Sequence, residues 1–292
     1  LKDAKVWKTL FYNDQLEGQA LLRNITRLAR IGAFDDMVFA ADYAERIVDE
    51  ERIAKTRLHP INFLNAAIVF QLGQIDRRVE DYWGGYSTYD RLKDWKTNGK
   101  VLDALNEGFY LAHKYVKPSD KRHLIAVDVS GSMAGSAGGK GSVDLSAAQV
   151  AGAQAMTIAR TEKYSDIVGF SRKLVDLGIT AKTSLSEAMS RVQMSSFGST
   201  NPSAAIEYAI ANKIDVDVFT IITDNEVNHG KKPFQSIRDY RQKSGIDAKM
   251  IVVGVTATDF TIADPSDKGM LDVVGFDSNA PKLISDFSAG RL

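Results

Sequence analysis

The sequence predicts two architectures in series: an α-helical repeat of the HEAT-like solenoid kind, then a doubly wound α/β domain with a parallel sheet. Three observations carry this. Up to about residue 118, apolar residues recur with a period near 3.6, the mark of amphipathic helices. From residue 121 onward, short continuous apolar runs alternate with helical patterns, as in a sheet buried on both faces. The first of those runs, HLIAVDVSGSM at residues 123–133, ends in an oxygen-rich turn before a long helix. That is the strand-to-helix position where open α/β sheets take their ligands.

In the first half, residues 17–31 place Leu21, Leu22, Ile25, Leu28 and Ile31 on one helical stripe, and residues 34–53 repeat it with Met37, Val38, Ala41, Ala44 and Val48. Pro60 suits the first turn of a helix over 61–72, where the N–H it lacks has no intrahelical use. The stretch DYWGGYSTYDRLKD then reads as a glycine- and aromatic-containing connector, followed by a helix over 100–117 that Pro118 ends. Helix pairs on short loops suggest a solenoid, and this rests on the pairing alone because no clean repeat period is found. In the second half, strands are expected at 123–129, 166–170, 218–223 and 249–255, with helices at 145–161, 185–192, 203–211, 233–244 and 283–288. KPSDK is the whole junction, so the expected domains are 1–118 and 119–292, packed rather than freely tethered.

Composition narrows the function. A chain of 292 residues is long enough for two sizeable cores. Lysine plus arginine and aspartate plus glutamate number 37 each, so any nucleic-acid site must be a local patch. There is no cysteine, which excludes disulfides and thiolate metal sites. No apolar run approaches the ~20 residues that span a bilayer, and LKDAKVWKTL lacks the apolar stretch of a signal peptide. The expectation is a cytoplasmic protein without a membrane partner. Leu1 in place of an initiator methionine gives the further expectation of a fragment, truncated at its helical end.

Asp128, Ser130 and Ser132 fall at alternate positions on the strand-to-helix turn. One carboxylate and two hydroxyls suit a hard divalent cation: Mg²⁺ first, Ca²⁺ or Mn²⁺ as alternatives. The D-x-S-x-S pattern alone is short, and two serines capping a polar turn would look the same. Two later stretches add to it: Thr200, in FGSTNPS before a helix, and Asp224, closing the apolar run VFTIITDNE. Together these resemble the metal-ion-dependent adhesion site of the von Willebrand factor A domain. The resemblance implies a cation held by Asp128, Ser130, Ser132, Thr200 and Asp224, with one position open to an acidic group from a partner. Asn201 departs from the pattern, since many A domains have Asp there and one nearby carboxylate is lost.

No enzyme chemistry is legible. Gly138, Gly139 and Gly141 around Lys140 do not make a phosphate loop, because Lys140 is followed by glycine rather than Ser or Thr. None of the 4 histidines adjoins a serine in a nucleophile elbow. A nuclease built on Asp128 and Asp224 would need more bridging carboxylates for two metals.

Arg23, Arg27 and Arg30 fall at i, i+4 and i+7 and so share one face of a helix. Arginine presents a planar donor fork to phosphate, although a solvated stripe beside Asp14 and Glu17 is the plainer reading. Lys55, Arg57 and His59 cluster before a helix start, a place that favours anions; His59 would equally serve to fix the His-Pro turn. Tyr82, Trp83, Tyr86 and Tyr89 offer rings for stacking bases or for plugging the gap between helices.

Several longer stretches point one way: KTRLHPINFLNAA, LDALNEGFYLAHKYVKPSDKRHLIAVDVSGSM, TDNE, and FTIADPSDKGMLDVVGFDS. They resemble the Ro ribonucleoprotein family, the proteins with a TROVE module followed by an A domain, here as a bacterial or phage member. The resemblance covers roughly residues 21–287. It implies a helical-repeat ring closed by the A domain, acting as a non-catalytic scaffold in RNA quality control. Its ligands would be small structured non-coding RNA of the Y RNA kind and single-stranded ends of misfolded RNA, with an exoribonuclease as a further partner. Family members have a longer helical ring ahead of this point, which carries part of their RNA contacts. The rival reading is a metal-dependent, protein-binding adhesion module without RNA affinity. An A-domain adaptor for a chelatase-type ATPase would call for a companion ATPase that is not in the sequence.

Overall fold

In the computed structural model of the chain, the described residues are 3–80, 86–135, 146–195, 198–224, 230–255, 262–274 and 280–292, with 74–80, 86–93 and 281 as backbone. Those up to Val116 form one compact unit and those from Lys117 onward another.

The first unit is helical: α1 (Ala4–Tyr12), α2 (Gly18–Arg23), α3 (Ile25–Arg30), α4 (Met37–Ile47), α5 (Glu50–Thr56), α6 (Pro60–Leu72) and α7 (Gly99–Ala112). Asp3, Asp36, Asp49 and Asn98 start four of these by accepting from first-turn N–H groups that have no partner inside the helix. The single helix expected over 17–31 is two. Asn24 leaves helical geometry at φ −95°, ψ 1°, and its Nδ2 donates back to the Ala20 carbonyl at 2.8 Å. Such local side-chain bonding competes with the helix ladder, and the apolar period runs across the break without registering it. Residues 34–53 divide likewise, because Asp49 caps a new helix. The unit is sealed by Phe11, Phe34, Phe39 and Tyr43, whose rings contact one another at 5.0–5.9 Å.

Residues 86–94 of the stretch read as a connector form a strand, β2 (Tyr86–Asp94), antiparallel to β1 (Gln74–Glu80), which precedes that stretch. QIDRRVE carries too few apolar residues for the strand alternation to show. Tyr82 and Trp83 lie outside the described residues, as do the side chains of Tyr86 and Tyr89.

The second unit is a six-stranded sheet in the order β5-β4-β3-β6-β7-β8. Its strands are β3 (Arg122–Asp128), β4 (Tyr164–Phe170), β5 (Leu174–Val175), β6 (Val218–Thr223), β7 (Lys249–Gly254) and β8 (Met270–Val274). All pairings are parallel except β4 with β5, so the sheet is mixed rather than wholly parallel. Its helices are α8 (Ala147–Thr161), α9 (Leu185–Met194), α10 (Ala204–Asn212), α11 (Pro233–Ser244) and α12 (Ala280–Ser288). Strand β6 is buried at every position and β3 at all but its first, which is why both read as unbroken apolar runs. Register matches Asp128 with Phe170 and Val127 with Ile222, so β3, β4 and β6 end at one edge.

At the opposite edge, Glu162 accepts from Ser119 N and Oγ, and Ser119 Oγ lies 2.8 Å from His123 Nε2. Arg122 grips Asp217 through two nitrogens at 2.7 and 2.9 Å. These bonds fix where the chain enters β3. Among the described residues, no helix is long and apolar enough to cross a membrane.

Candidate metal centre and nucleic-acid contacts

The carboxyl edge gathers the oxygen-bearing residues that the sequence singles out. Asp128 ends β3 with no exposed surface, Ser130 is buried beside it, and Ser132 opens to solvent. Asp128 Oδ1 accepts from Ser130 N at 2.8 Å, and Oδ2 accepts from Thr223 Oγ1 at 2.6 Å. Ser130 Oγ and Ser132 Oγ lie 3.1 Å apart. Thr200, also buried, sits on the loop before α10, and Gly131 N donates to Gly198 O at 3.3 Å to join that loop to the Asp-Ser turn. Asp224 follows directly on β6 and is near enough to Asp128 to add to its charge repulsion.

The residues fit a hard cation. Asp128 is pushed up to about 6, first by burial and also by the Asp224 carboxylate, against the hydrogen bonds from Thr223 and Ser130. Among the described residues no Lys, Arg or His pairs with Asp128. A buried carboxylate without a counter-charge is costly, and a cation from solution would supply one. A carboxylate has about four lone-pair sites, and Thr223 with the backbone and side chain of Ser130 takes up three of them. Neighbouring ligands of an octahedral Mg²⁺ at ~2.1 Å stand roughly 3.0 Å apart, close to the spacing of the two serine hydroxyls. Among the described residues, no three His, Asp or Glu side chains converge on a metal position. A cation held here would meet carboxylate and hydroxyl oxygens, donors that suit Mg²⁺ better than Zn²⁺.

Two local devices shape this edge. Asn201 N donates to Ser171 O at 2.8 Å, and Asn201 Oδ1 accepts from Ser203 N at 3.2 Å. The Asn201 side chain packs so tightly on Gly230 that a Cβ there would come within 2.2 Å of it, and Gly230 itself has φ +85°. No other residue suits that turn. Thr223 is the residue of this edge that sequence reasoning misses; its one signal is a hydroxyl directly before Asp224. The glycine-rich stretch with Gly138, Gly139, Lys140 and Gly141 lies outside the described residues, as does the rest of TDNE after Asp224.

The basic candidates of the helical unit are less unified. Arg23 ends α2, whereas Arg27 and Arg30 belong to α3, so the one-helix face over i, i+4, i+7 does not exist. All three are exposed, and Arg27 lies 5.8 Å over the Trp7 ring. Asp14 and Glu17 are not their neighbours in charge: Arg46 and Arg52 hold Asp14 at 3.3 and 3.0 Å, and Arg52 also pairs with Glu17. Among the described residues Arg23, Arg27, Arg30 and Arg57 pair with no carboxylate. Lys55 is 3.8 Å from Glu17 and otherwise open. Arg57 turns the chain at φ +51° after α5. His59 is the cap of α6: its Nδ1 accepts from Ile61 N at 3.3 Å and its N donates to Asn62 Oδ1 at 2.9 Å. Burial pushes His59 down to about 4, so at neutral pH it is an uncharged cap and not a phosphate-binding cation.

Residues 122–288 match the family described as the Ro60 vWA domain, and residues 1–82 match the TROVE domain. The chain is 35% identical over 294 residues to the RNA-binding protein RO60 of Caenorhabditis elegans, covering 100% of this chain and 43% of that protein. It is 38% identical over 276 residues to the protein of the same name from Deinococcus radiodurans, covering 93% and 49%. The crystal structure of the Deinococcus radiodurans RO (RSR) protein superposes with a TM-score of 0.79 at 37% identity, over 94% of this chain and 53% of that one. The chain thus spans about half the length of these relatives.

Proposed function

The chain belongs to the Ro60 family, and from that membership we propose that it is a non-catalytic RNA-binding scaffold of the Ro type. The observation that carries this is the extent of the similarity: it runs through both units to two relatives whose name is RNA-binding protein RO60. The ligands are small structured non-coding RNA, of the Y RNA kind, and single-stranded ends of misfolded RNA. Arg23, Arg27, Arg30, Lys55 and Arg57 are the phosphate contacts of the helical unit; their exposure and, for the four arginines, the lack of carboxylate partners support that role.

In the second unit, Asp128, Ser130, Ser132, Thr200 and Asp224 hold a divalent cation, Mg²⁺ by donor type. The cation supplies a positive centre with a position open to an acidic ligand, and an exoribonuclease is a further partner. The buried, uncompensated carboxylate of Asp128 supports this.

A salt-titrated binding assay tests the RNA reading. The chain is offered a structured RNA with a single-stranded 3′ tail, and the same RNA without it, in Mg²⁺ and in EDTA. Binding that needs the tail and weakens steeply with salt is expected, and R23A/R27A/R30A should lower the salt slope. Mg²⁺-dependent capture of an acidic peptide with no RNA affinity in any arm would instead favour the adhesion-module reading.

A further inference from the structure

The carboxyl edge of the second unit carries more positive charge than one cation. Arg172 and Lys173 form the turn directly after β4. Ser171 O in that turn accepts from Asn201 N at 2.8 Å, which seats the turn against the Thr200 loop. From the same loop, Ser203 Oγ donates to Lys231 O at 2.5 Å, which seats Lys231 and Lys232 there too. All four cations are exposed. Among the described residues Arg172, Lys173 and Lys232 pair with no carboxylate, whereas Lys231 pairs with Asp239. Lys232 lies 5.8 Å over the half-buried ring of Phe234, which Arg238 approaches at 5.5 Å.

In a chain whose net charge is zero, this is a local basic patch. A ligand presenting one carboxylate to the metal would leave these cations idle. A phosphodiester strand carries a charge at every nucleotide and engages several at once. An aromatic ring among the cations adds the stacking surface that single-stranded nucleic acid uses and an acidic peptide does not. The two carboxylates at the centre, Asp128 and Asp224, would repel phosphate unless neutralised, so the cation and the strand are coupled.

We propose that the carboxyl edge of the second unit is a track for single-stranded RNA, with Arg172, Lys173, Lys231 and Lys232 on its backbone and Phe234 against a base. This rests on the RNA-binding reading above and adds an RNA surface on the second unit to the arginines of the helical unit. A track in which Mg²⁺ shields Asp128 and Asp224 binds RNA less tightly in EDTA.

The test uses the full chain and a labelled oligouridylate of about a dozen nucleotides, a length within the usual range of such grooves. Affinity is followed by anisotropy against salt, in Mg²⁺ and EDTA. The variants are R172E/K173E and K232E, with the milder R172A/K173A should charge reversal disturb folding; circular dichroism and thermal midpoint confirm the fold. Roughly tenfold weaker binding is expected for R172E/K173E, with a log–log salt slope lower by about 0.7 for each phosphate no longer neutralised. Binding by the parent chain should weaken in EDTA. Parent-like binding by every variant would overturn the track and leave the Ro reading intact. So would a parent chain that binds structured RNA but not the oligouridylate. No RNA binding at all, with Mg²⁺-dependent binding of an oligoglutamate peptide that R172E/K173E loses, would overturn both and assign the edge to a protein partner.

Discussion

Thr223 donates from Oγ1 to Asp128 Oδ2 at 2.6 Å, across the parallel pair β3–β6. Neither residue has exposed surface. The bond fixes the orientation of a buried carboxylate whose other oxygen is already held by Ser130 N. Thr223→Val keeps the volume and removes the donor. Leaving a buried charged acceptor short of one bond costs on the order of 1–3 kcal/mol, which urea unfolding of the metal-free chain would register. Thr223→Ser should recover most of it. Equal stability of the parent and Thr223→Val would show that the bond contributes nothing.

Metal removal gives the second prediction. A cation that binds only the folded chain raises stability by about 2.7 kcal/mol at a hundredfold excess over its dissociation constant. Mg²⁺ should therefore raise the thermal midpoint of the parent chain and leave that of Asp128→Asn unmoved. Asp128→Asn should also be no less stable than the parent in EDTA, since it removes a charge that the interior disfavours. An equal Mg²⁺ response in both chains would remove Asp128 from the donor set.

How much of this is legible in the sequence depends on burial. The central strands β3, β6 and β7 are readable to within a residue or two because both their faces are covered, and a doubly covered strand is a plain apolar run. The edges escape for the complementary reason: β5 has only 2 residues, and only Met270 and Val273 of β8 are buried. The hairpin β1–β2 escapes because its first strand is mostly polar. Asp128, Ser130, Ser132 and Asp224 are visible as side chains at or just past strand ends. Arg172, Lys173, Lys231 and Lys232 follow strands or precede helices in the same way, yet isolated surface cations have no pattern of their own. Only the hydrogen bonds donated by Asn201 N and Ser203 Oγ show that they share an edge with Thr200.

Acid sensitivity follows from His123. Its side chain has no exposed surface, Nε2 lies 3.6 Å from Glu162 Oε2, and burial pushes the imidazole down to about 4, against the attraction of Asp217. A histidine held neutral in the fold contributes stability above its unfolded value of about 6.5 that is lost as pH falls towards 4, at most about 3 kcal/mol. Glu162 works the other way: burial raises it, so its contribution is lost as pH rises through its folded value. The chain should lose stability between pH 7 and 4.5, and His123→Gln should lose about 1–2 kcal/mol less over that interval. Urea midpoints at the two pH values decide it. Parallel losses in both chains would exclude His123, leaving His59, which burial lowers similarly, as the next group to substitute.

The close pairing of α6 with α7 turns on one glycine. Gly108 faces the Phe63 ring, and a Cβ at 108 would lie 2.5 Å from two of its carbons. Phe63 has no exposed surface and so no free space into which to swing. Gly108→Ala gains up to about 1 kcal/mol of helix propensity but must push the two helices apart, and overpacking of a filled core costs about 1–3 kcal/mol. The second effect should win, with a net loss on the order of 1–2 kcal/mol in urea unfolding. Phe63→Leu alone should also destabilise, by leaving space. Combined, the two should cost less than their sum, because the leucine makes room for the new methyl group. Strict additivity would mean that residues 63 and 108 do not set the helix spacing.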